Sequence, residues 1–312
     1  MTKKTKDRLI DVDNALKDLR DSISRLDVAD MSEFERKVDD FRQEIYDGIT
    51  RWGSVELSRY PERPGIDEYI ERIFESFMEL KGDRTYEDDP AIIGGLAFLD
   101  DTPVVIIGHK KHSTHTKDYM KYHYGMASPS GHHKAMRLLR LAEKFSRPLI
   151  TFVDTPGAYP VPEAEYRGQA FSIAQCIAAI ASVQAPVVAC IIGEAGSGGA
   201  LALGFGDRII MLENAFYGSI SPEGFSSIMF GDSSMKVSAA DTLKGTGKDL
   251  YREGIVDSLV KEPVGGAHNN PELVIDEVGR LIRHYVHELQ SLAVDELIRQ
   301  RTRSIQSLVP RG

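Results

Sequence analysis

Two stretches of the chain run from strand-like apolar residues into turns with very few side chains. Gly193-Glu-Ala-Gly-Ser-Gly-Gly199 follows the apolar segment 186–192, and Asp154-Thr-Pro-Gly-Ala-Tyr-Pro160 follows 148–153. Each reads as a strand, a tight turn and the start of a helix. Such a junction presents backbone N–H groups where an anion or a developing oxyanion is stabilised. In Gly196-Ser197-Gly198-Gly199 the bare backbone lets a carbonyl approach to about 3 Å, the distance an oxyanion hole requires. The same glycines would also serve close packing of helix on strand, and a short glycine-rich turn is a weak motif alone. Ser197 invites a nucleophile reading, but the G-x-S-x-G elbow needs glycine at 195, where this chain has Ala195.

Six of the nine histidines (109, 112, 115, 123, 132 and 133) crowd into one stretch. The spacing His109-x-x-His112-x-x-His115 is compatible with metal ligation, but no nearby cysteine or clear carboxylate completes a site. The competing reading is a solvated cationic loop, carrying Lys110, Lys111, Lys117 and Lys121, that meets phosphates. Asp154, Glu163, Glu165 and Glu194 are the candidates for general acid or base work. Acids at strand ends more often satisfy backbone donors.

The elements that must position these residues follow from periodicity. Leu9, Val12, Leu16, Leu19, Ile23 and Leu26 are spaced 3-4-3-4-3 and predict a helix. Met31, Phe34, Val38, Phe41 and Ile45 predict a second, with Ser32 and Glu35 as its capping box and Asp27 to Asp30 as the break. Residues 1–58 therefore read as a helical hairpin whose apolar stripe docks on the main body or on another chain. A linker containing Pro61 and Pro64 is expected at 59–65, then a helix over 66–80. Strands over 92–99 and 103–108, a helix over 133–145, a strand over 148–153, a helix over 168–183 and a strand over 186–192 follow. This repeated β-β-α order indicates an α/β domain over 59–306, closed by one long helix from about 271 to 305. Leu308-Val-Pro-Arg-Gly312 matches a thrombin cleavage site, so 307–312 is read as an appended remnant.

Composition bounds the rest. Of 312 residues, 42% are hydrophobic and 27% charged, an ordinary globular balance. The net charge of −9 argues against nucleic acid or an anionic membrane as a partner. Cys176 and Cys190 lie in apolar runs without a CxxC neighbour and read as buried thiols. No run reaches the roughly 18 apolar residues of a membrane span, and the polar start is unlike a signal peptide. A soluble cytoplasmic protein is expected.

Several unusual strings occur in a fixed order: Leu80-Lys-Gly-Asp-Arg84, Asp88-Asp-Pro-Ala-Ile-Ile-Gly-Gly95, Ile107-Gly-His109, residues 134–145, Phe152-Val-Asp-Thr-Pro-Gly-Ala-Tyr-Pro160, Arg167-Gly-Gln169, residues 193–201, Met211-Leu-Glu-Asn214, Ile220-Ser-Pro-Glu-Gly224 and Gly265-Gly-Ala-His268. On these the chain resembles, from about Arg51 to His268, the α subunits of bacterial acetyl-CoA carboxylase carboxyltransferase. The resemblance implies a crotonase (ClpP/crotonase) fold of ββα repeats. It implies transfer of a carboxyl group from carboxybiotin on a biotin carboxyl carrier protein to acetyl-CoA, giving malonyl-CoA for fatty acid synthesis. The implied partners are a β subunit bearing a zinc ribbon, in an α2β2 assembly, and a biotin carboxylase in the wider complex. In that scheme the biotin anion left by CO2 release takes the acetyl proton, so no side-chain base is needed. Gly198 and Gly199 then donate backbone N–H groups to the biotin ureido oxygen. Gly157, Ala158, Tyr159, Gly196, Ser197, Ser221, Pro222, Glu223 and Gly224 would contact substrate. No metal is expected in this chain, because two cysteines cannot form a four-cysteine zinc site.

The chain departs from the family at Ala195, where glycine is usual, in the segment 161–166 and at His115, and its 109–126 loop is one residue longer. Carrier docking or acyl-CoA choice is where these departures would act. The alternatives are a carboxyltransferase for another acyl-CoA, a self-sufficient crotonase such as an enoyl-CoA hydratase, and a catalytically silent scaffold.

Overall fold

The computed structural model describes residues 9–24, 32–113 and 118–307. The expected helix break at 27–30, Leu26 and Met31, the side chain of Ser32 in its capping box, His115, Lys117 and the thrombin-type tail 308–312 lie outside the described residues. In chain order the helices are α1 (Leu9–Ser24), α2 (Ser32–Asp47), α3 (Arg51–Ser58), α4 (Ile66–Ile73), α5 (Pro129–Lys144), α6 (Pro162–Tyr166), α7 (Gln169–Ser182), α8 (Ser197–Leu201), α9 (Pro222–Phe230), α10 (Lys236–Leu243), α11 (Gly247–Arg252), α12 (Pro271–Gln290) and α13 (Val294–Ser307). Among the described residues none is long and apolar enough to cross a membrane.

One mixed sheet organises the body. Strands β1 (Glu75–Glu79), β2 (Ile92–Leu99) and β3 (Thr102–His109) are antiparallel neighbours; β4 (Leu149–Thr155), β5 (Val187–Gly196), β6 (Arg208–Leu212) and β8 (Ser258–Val260) continue parallel to β3, and β7 (Phe216–Gly218) runs beside the end of β5. Every residue of β4 is buried, as a strand covered on both faces requires of its sequence. Helix α5 crosses β2 and β3 and packs on α7, while α12 lies against β5, β6 and β8. The repeated strand-helix order is thus the α/β architecture expected from the apolar runs.

Three expectations are corrected. The helix predicted over 66–80 stops at Ile73: Phe74 is extended, and residues 75–79 become strand β1, which closes the open edge of β2. Apolar residues at 77 and 80 satisfied a helical spacing by coincidence. The long C-terminal helix is two helices. Ser291 ends α12, its hydroxyl donating to the Glu288 carbonyl at 2.6 Å, and the bend brings Arg301 of α13 onto Asp207. The stretch 59–65 is a packed strap rather than a linker. Buried Arg63 donates to the Ile192 carbonyl at 2.6 Å and makes a two-point ion pair with Glu262 at 2.6 and 2.9 Å.

Helices α1 and α2 form as their spacing predicts, with Val38 and Ile45 buried but Leu19 and Phe41 exposed. Asp13 of α1 pairs with Arg42 of α2, and Lys17 donates to Asn269 at 2.7 Å, which fixes the pair against the 265–269 loop. Helix α3 is held on the body by Arg51, which grips Asp249 through two 2.8 Å bonds, and by buried Trp52, packed with Phe216 and Ala240.

Candidate functional site

Strand β5 runs further than its apolar stretch suggests. Beyond Ile192 it pairs with β7, Glu194 opposite Phe216, Ala195 opposite Tyr217 and Gly196 opposite Gly218. Gly193 and Gly196 therefore lie within the strand, and the turn itself falls on Ser197, at φ 53°. The helix that follows, α8, has only five residues. Its dipole is correspondingly weak, so the turn offers individual N–H groups, which at a helix start lack an acceptor within the helix.

Steric space explains the glycines. A Cβ at Gly193 would lie 2.5 Å from Asp154 Oδ1, at Gly196 2.0 Å from the Pro156 carbonyl oxygen, and at Gly199 2.4 Å from the Gly157 carbonyl carbon. Every third residue from 193 to 199 thus interlocks with the 154–158 turn, whose Gly157 has φ 150°. At Gly198 the nearest atom is Ile173 Cγ2 at 3.4 Å, so that position is not sterically closed. The Gly198 carbonyl accepts the Ala202 N–H at 3.0 Å, which fixes the peptide plane carrying the Gly199 N–H. The two sequence-predicted turns are therefore one unit. Ala195 is buried in extended strand, opposite Thr155, so its methyl group is accommodated. Ser197 is exposed, and among the described residues its hydroxyl bonds to no histidine or carboxylate.

A chain of ion pairs borders this unit. Lys111 lies 3.0 Å from Asp154 and 3.9 Å from Glu194, and Arg59 joins Glu194 at 2.7 Å to Glu223 at 2.6 Å. Burial raises the Glu223 carboxyl, but hydrogen bonds and charge from Arg59 hold it below its ordinary value. Ser221 caps α9, accepting the Gly224 N–H at 3.1 Å, and Pro222 opens that helix. So Gly157, Ala158, Gly196 and Gly199 meet directly, whereas Ser221–Gly224 connects to them through Arg59. Tyr159 stacks on His123 with ring centroids 4.3 Å apart. Cavities open on two sides of the unit. One, of about 370 Å³, is lined by Lys111, Tyr119, Tyr124, Met126 and Pro156. The other, of about 350 Å³, is lined by Ser197, Gly198, Leu201 and Tyr217.

The histidine run is dispersed. His109 is fully buried beside Asp154 and the backbone of Phe152 and Gly199, and burial pushes its pKa down to about 4. His132, also buried, contacts the Ser172 hydroxyl at 3.0 Å, and burial lowers it to about 3. His112 faces the Arg63 carbonyl. Among the described residues no three His, Cys, Asp or Glu side chains are grouped to hold a metal. Of the lysines, Lys110 pairs with Asp67 at 2.8 Å and Lys111 with Asp154, whereas Lys121 is exposed as a solvated loop requires. Asp154 fills the bland role expected of a strand-end acid, accepting the Glu194 N–H at 3.1 Å. Glu163 and Glu165 are exposed on α6. Arg59 and Arg63 escaped sequence reasoning because they flank prolines in a stretch read as a linker.

Comparison with known proteins completes the description. A family model described as acetyl co-enzyme A carboxylase carboxyltransferase-like matches residues 3–309. The acetyl-coenzyme A carboxylase carboxyl transferase subunit alpha of Staphylococcus haemolyticus is 43% identical over 303 residues, covering 96% of each chain. That of Thermus thermophilus is 44% identical over 280 residues, 90% of this chain and 89% of its own. In three dimensions the chain is similar to transcarboxylase 12S, with TM-score 0.58 and 17% identity over 72% of this chain and 42% of that one. It is also similar to a chain of a Pseudomonas malonate decarboxylase hetero-tetramer, with TM-score 0.57 and 17% identity over 73% and 83%. The fold is that of the crotonase-type carboxyltransferases.

Proposed function

The chain belongs to the acetyl co-enzyme A carboxylase carboxyltransferase family, and from that premise we propose that it is the α-type half of a carboxyltransferase that makes malonyl-CoA from acetyl-CoA. The observation that carries the reading is the interlock of the two turns, with Gly199 so close to Gly157 and Ala158 that no side chain fits between them. Such a cradle leaves backbone N–H groups of Gly198 and Gly199 as the donors to an approaching carbonyl oxygen, and each such donor is worth roughly 10²- to 10³-fold in rate.

The cradle fits a ureido oxygen, which is neutral in carboxybiotin and takes up negative charge as CO2 leaves, so that two N–H groups bind it more strongly in the transition state than before it. Carboxybiotin, borne on a separate carrier protein and recharged by a biotin carboxylase, would supply the carboxyl group and afterwards the base. The chain's own part is to hold that oxygen at Gly198 and Gly199. Gly157, Ala158, Tyr159, Gly196 and Ser197 shape the approach, and Ser221, Pro222, Glu223 and Gly224 border it through Arg59. The acyl-CoA thioester is assigned to a zinc-ribbon β subunit in an α2β2 assembly. Exposed apolar side chains on the surrounding helices, among them Phe171, Leu201, Ile228 and Met229, support a protein partner on this face. The cytoplasm is the proposed compartment. The division into an accessory unit 1–58 and a transferase domain 59–306 is proposed on the pairing of α1 with α2 through Asp13 and Arg42, with α3 as the segment that seats the unit on the body.

Biotin-dependent decarboxylation of malonyl-CoA, measured for this chain, for its β subunit and for the mixture, tests the assignment. Activity is expected only in the mixture and is lost in Gly199→Val. Activity in this chain alone would establish a self-sufficient enzyme instead, and none in a properly assembled mixture would establish a silent scaffold.

A further inference from the structure

The ladder between β4 and β5 is interrupted just before the glycine turn. Val153 pairs with Ile191, and the next pair is Thr155 with Ala195, so a single residue of β4, Asp154, stands opposite three of β5, Ile192, Gly193 and Glu194. A bulge of this kind takes backbone groups out of the ladder and re-aims the residues that follow it. Here two displaced groups are taken up by side chains. The Ile192 carbonyl accepts Arg63 Nε at 2.6 Å, and the Glu194 N–H donates to Asp154 Oδ1 at 3.1 Å. Both side chains are buried, and Lys111 Nζ reaches the same Asp154 oxygen at 3.0 Å. Gly193 is needed at the centre, since a Cβ there would meet the Asp154 carboxylate.

We propose that this bulge is the device that aims the oxyanion turn, and that Asp154 is its positioning residue for the carboxyl transfer. The inference rests on the reading of Gly198 and Gly199 as the donors. The other contacts between the turns, Gly196 on Pro156 and Gly199 on Gly157, are close approaches that set a minimum separation but do not draw the turns together. The Thr155–Ala195 pair holds the strand ends together beyond the bulge, and the Asp154 bond fixes the path of the bulge between the two pairs. Without it the Glu194 N–H is left buried and unpaired, and relaxation of the bulge is transmitted over the next few residues to Gly198 and Gly199. A shift of about 1 Å at a reacting group costs on the order of 10²-fold in rate.

The test compares Asp154→Ala with Asp154→Asn in the complex assembled with the β subunit. Asparagine keeps an oxygen for the Glu194 N–H; alanine does not. For Asp154→Ala the expected result is a kcat about 10²-fold lower, with KM for malonyl-CoA and for biotin within about threefold, since the lost interaction acts in the transition state. Asp154→Asn retains kcat within about tenfold of the parent. Hydrogen exchange of the amides from 193 to 199, followed on the same proteins, rises in the alanine variant and stays near the parent in the asparagine variant. Equal loss of kcat in both variants with exchange unchanged would overturn the proposal, because the carboxylate would then act through its charge. Parental kcat and exchange in Asp154→Ala would overturn it too. An inactive parent complex with the exchange difference intact would overturn the functional reading while upholding the aiming role.

Discussion

The two ends of strand β5 are both tied down by arginine, and they are tied differently. At the start, Asp207 accepts the Val187 N–H at 2.8 Å and is gripped by Arg301, which also donates to the carbonyls of Ile180, Val183 and Ala185. Both side chains are essentially inaccessible, 0% and 2% exposed, and every guanidinium nitrogen has an acceptor. At the other end Arg59 divides itself between Glu194 and Glu223, is 28% exposed and lies beside an open cavity. The closed arrangement holds three segments of backbone together and has no donor left for anything else. The open one surrounds the glycine turn with charge that solvent and ligand can reach. Buried ion pairs of the first kind are costly to break, whereas pairs near water contribute little to stability.

The largest effect that would test this contrast is at Arg301. Arg301→Met leaves Asp207 buried without its partner and three carbonyls without donors, and should cost about 3–5 kcal/mol of stability. Urea unfolding reads the loss, and the rate per folded molecule in the assembled complex should be unchanged. A loss below about 1 kcal/mol would mean that the start of β5 is no more closed than its end.

Acid acts instead on two buried histidines outside β5. His109 and His132 are held neutral by burial, at about 4 and about 3. Their folded-state values lie below the ordinary histidine value near 6.5, so the unfolded chain binds more protons between these limits. The stability they contribute is therefore complete above about pH 6.5 and is lost as pH falls toward 4. Together they predict a fall of about 2 kcal/mol between pH 6.5 and 5.5, to which partly buried His268, also lowered by burial to about 4, adds in the same direction. Urea titrations at the two pH values check it. A His132→Gln variant whose stability depends on pH as steeply as the parent's would show that this histidine is not part of the effect.

A smaller effect is expected at Arg59. Arg59→Met should cost about 1–2 kcal/mol, less than Arg301→Met, because Arg59 and Glu223 are partly solvated although Glu194 is buried. Activity of the assembled complex should nonetheless fall about tenfold, through loss of the link between Glu194 and Glu223 beside the turn. A loss of stability as large as that of Arg301→Met would erase the distinction between the two ends.

The sequence shows the apolar strands, because a fully buried strand writes its burial into consecutive residues such as 149–153. It also shows both glycine turns, since near-absence of side chains is itself a pattern. What escapes it is everything made by charge across distance. Arg63 and Glu262 are 199 residues apart and Arg301 and Asp207 are 94 apart. No periodicity relates such partners, and a buried arginine looks like an exposed one in a hydropathy pattern. The split of the C-terminal helix belongs to the same class, because the bend at Ser291 serves Arg301. The strand at 75–79 was hidden for another reason. Its apolar residues fit a 3.6-residue period as well as an extended edge, and only the pairing of 75–79 with 95–98 selects the edge. The bulge before the glycine turn is a matter of register, which pairing alone decides.

The smallest effect separates the two glycines proposed as donors. Gly199 has backbone on the side where a Cβ would project, within 2.4 Å, whereas Gly198 has only the end of the Ile173 side chain at 3.4 Å. Backbone cannot move aside without displacing the 156–158 turn, so Gly199→Ala should cost about 1–3 kcal/mol and most of the activity. An isoleucine methyl can yield by a few tenths of an ångström, and neither glycine has a positive φ, so alanine meets no backbone strain at 198. Gly198→Ala is therefore expected to alter stability by no more than about 0.5 kcal/mol. Its amide N–H survives the substitution, so any loss of rate in this variant measures crowding of the bound group by the new methyl. Thermal melts of the two variants, with biotin-dependent decarboxylation in the assembled complex, distinguish the positions. If Gly198→Ala proves as destabilising as Gly199→Ala, the close approach of the turns is not what requires glycine here, and the interlock loses its explanatory role.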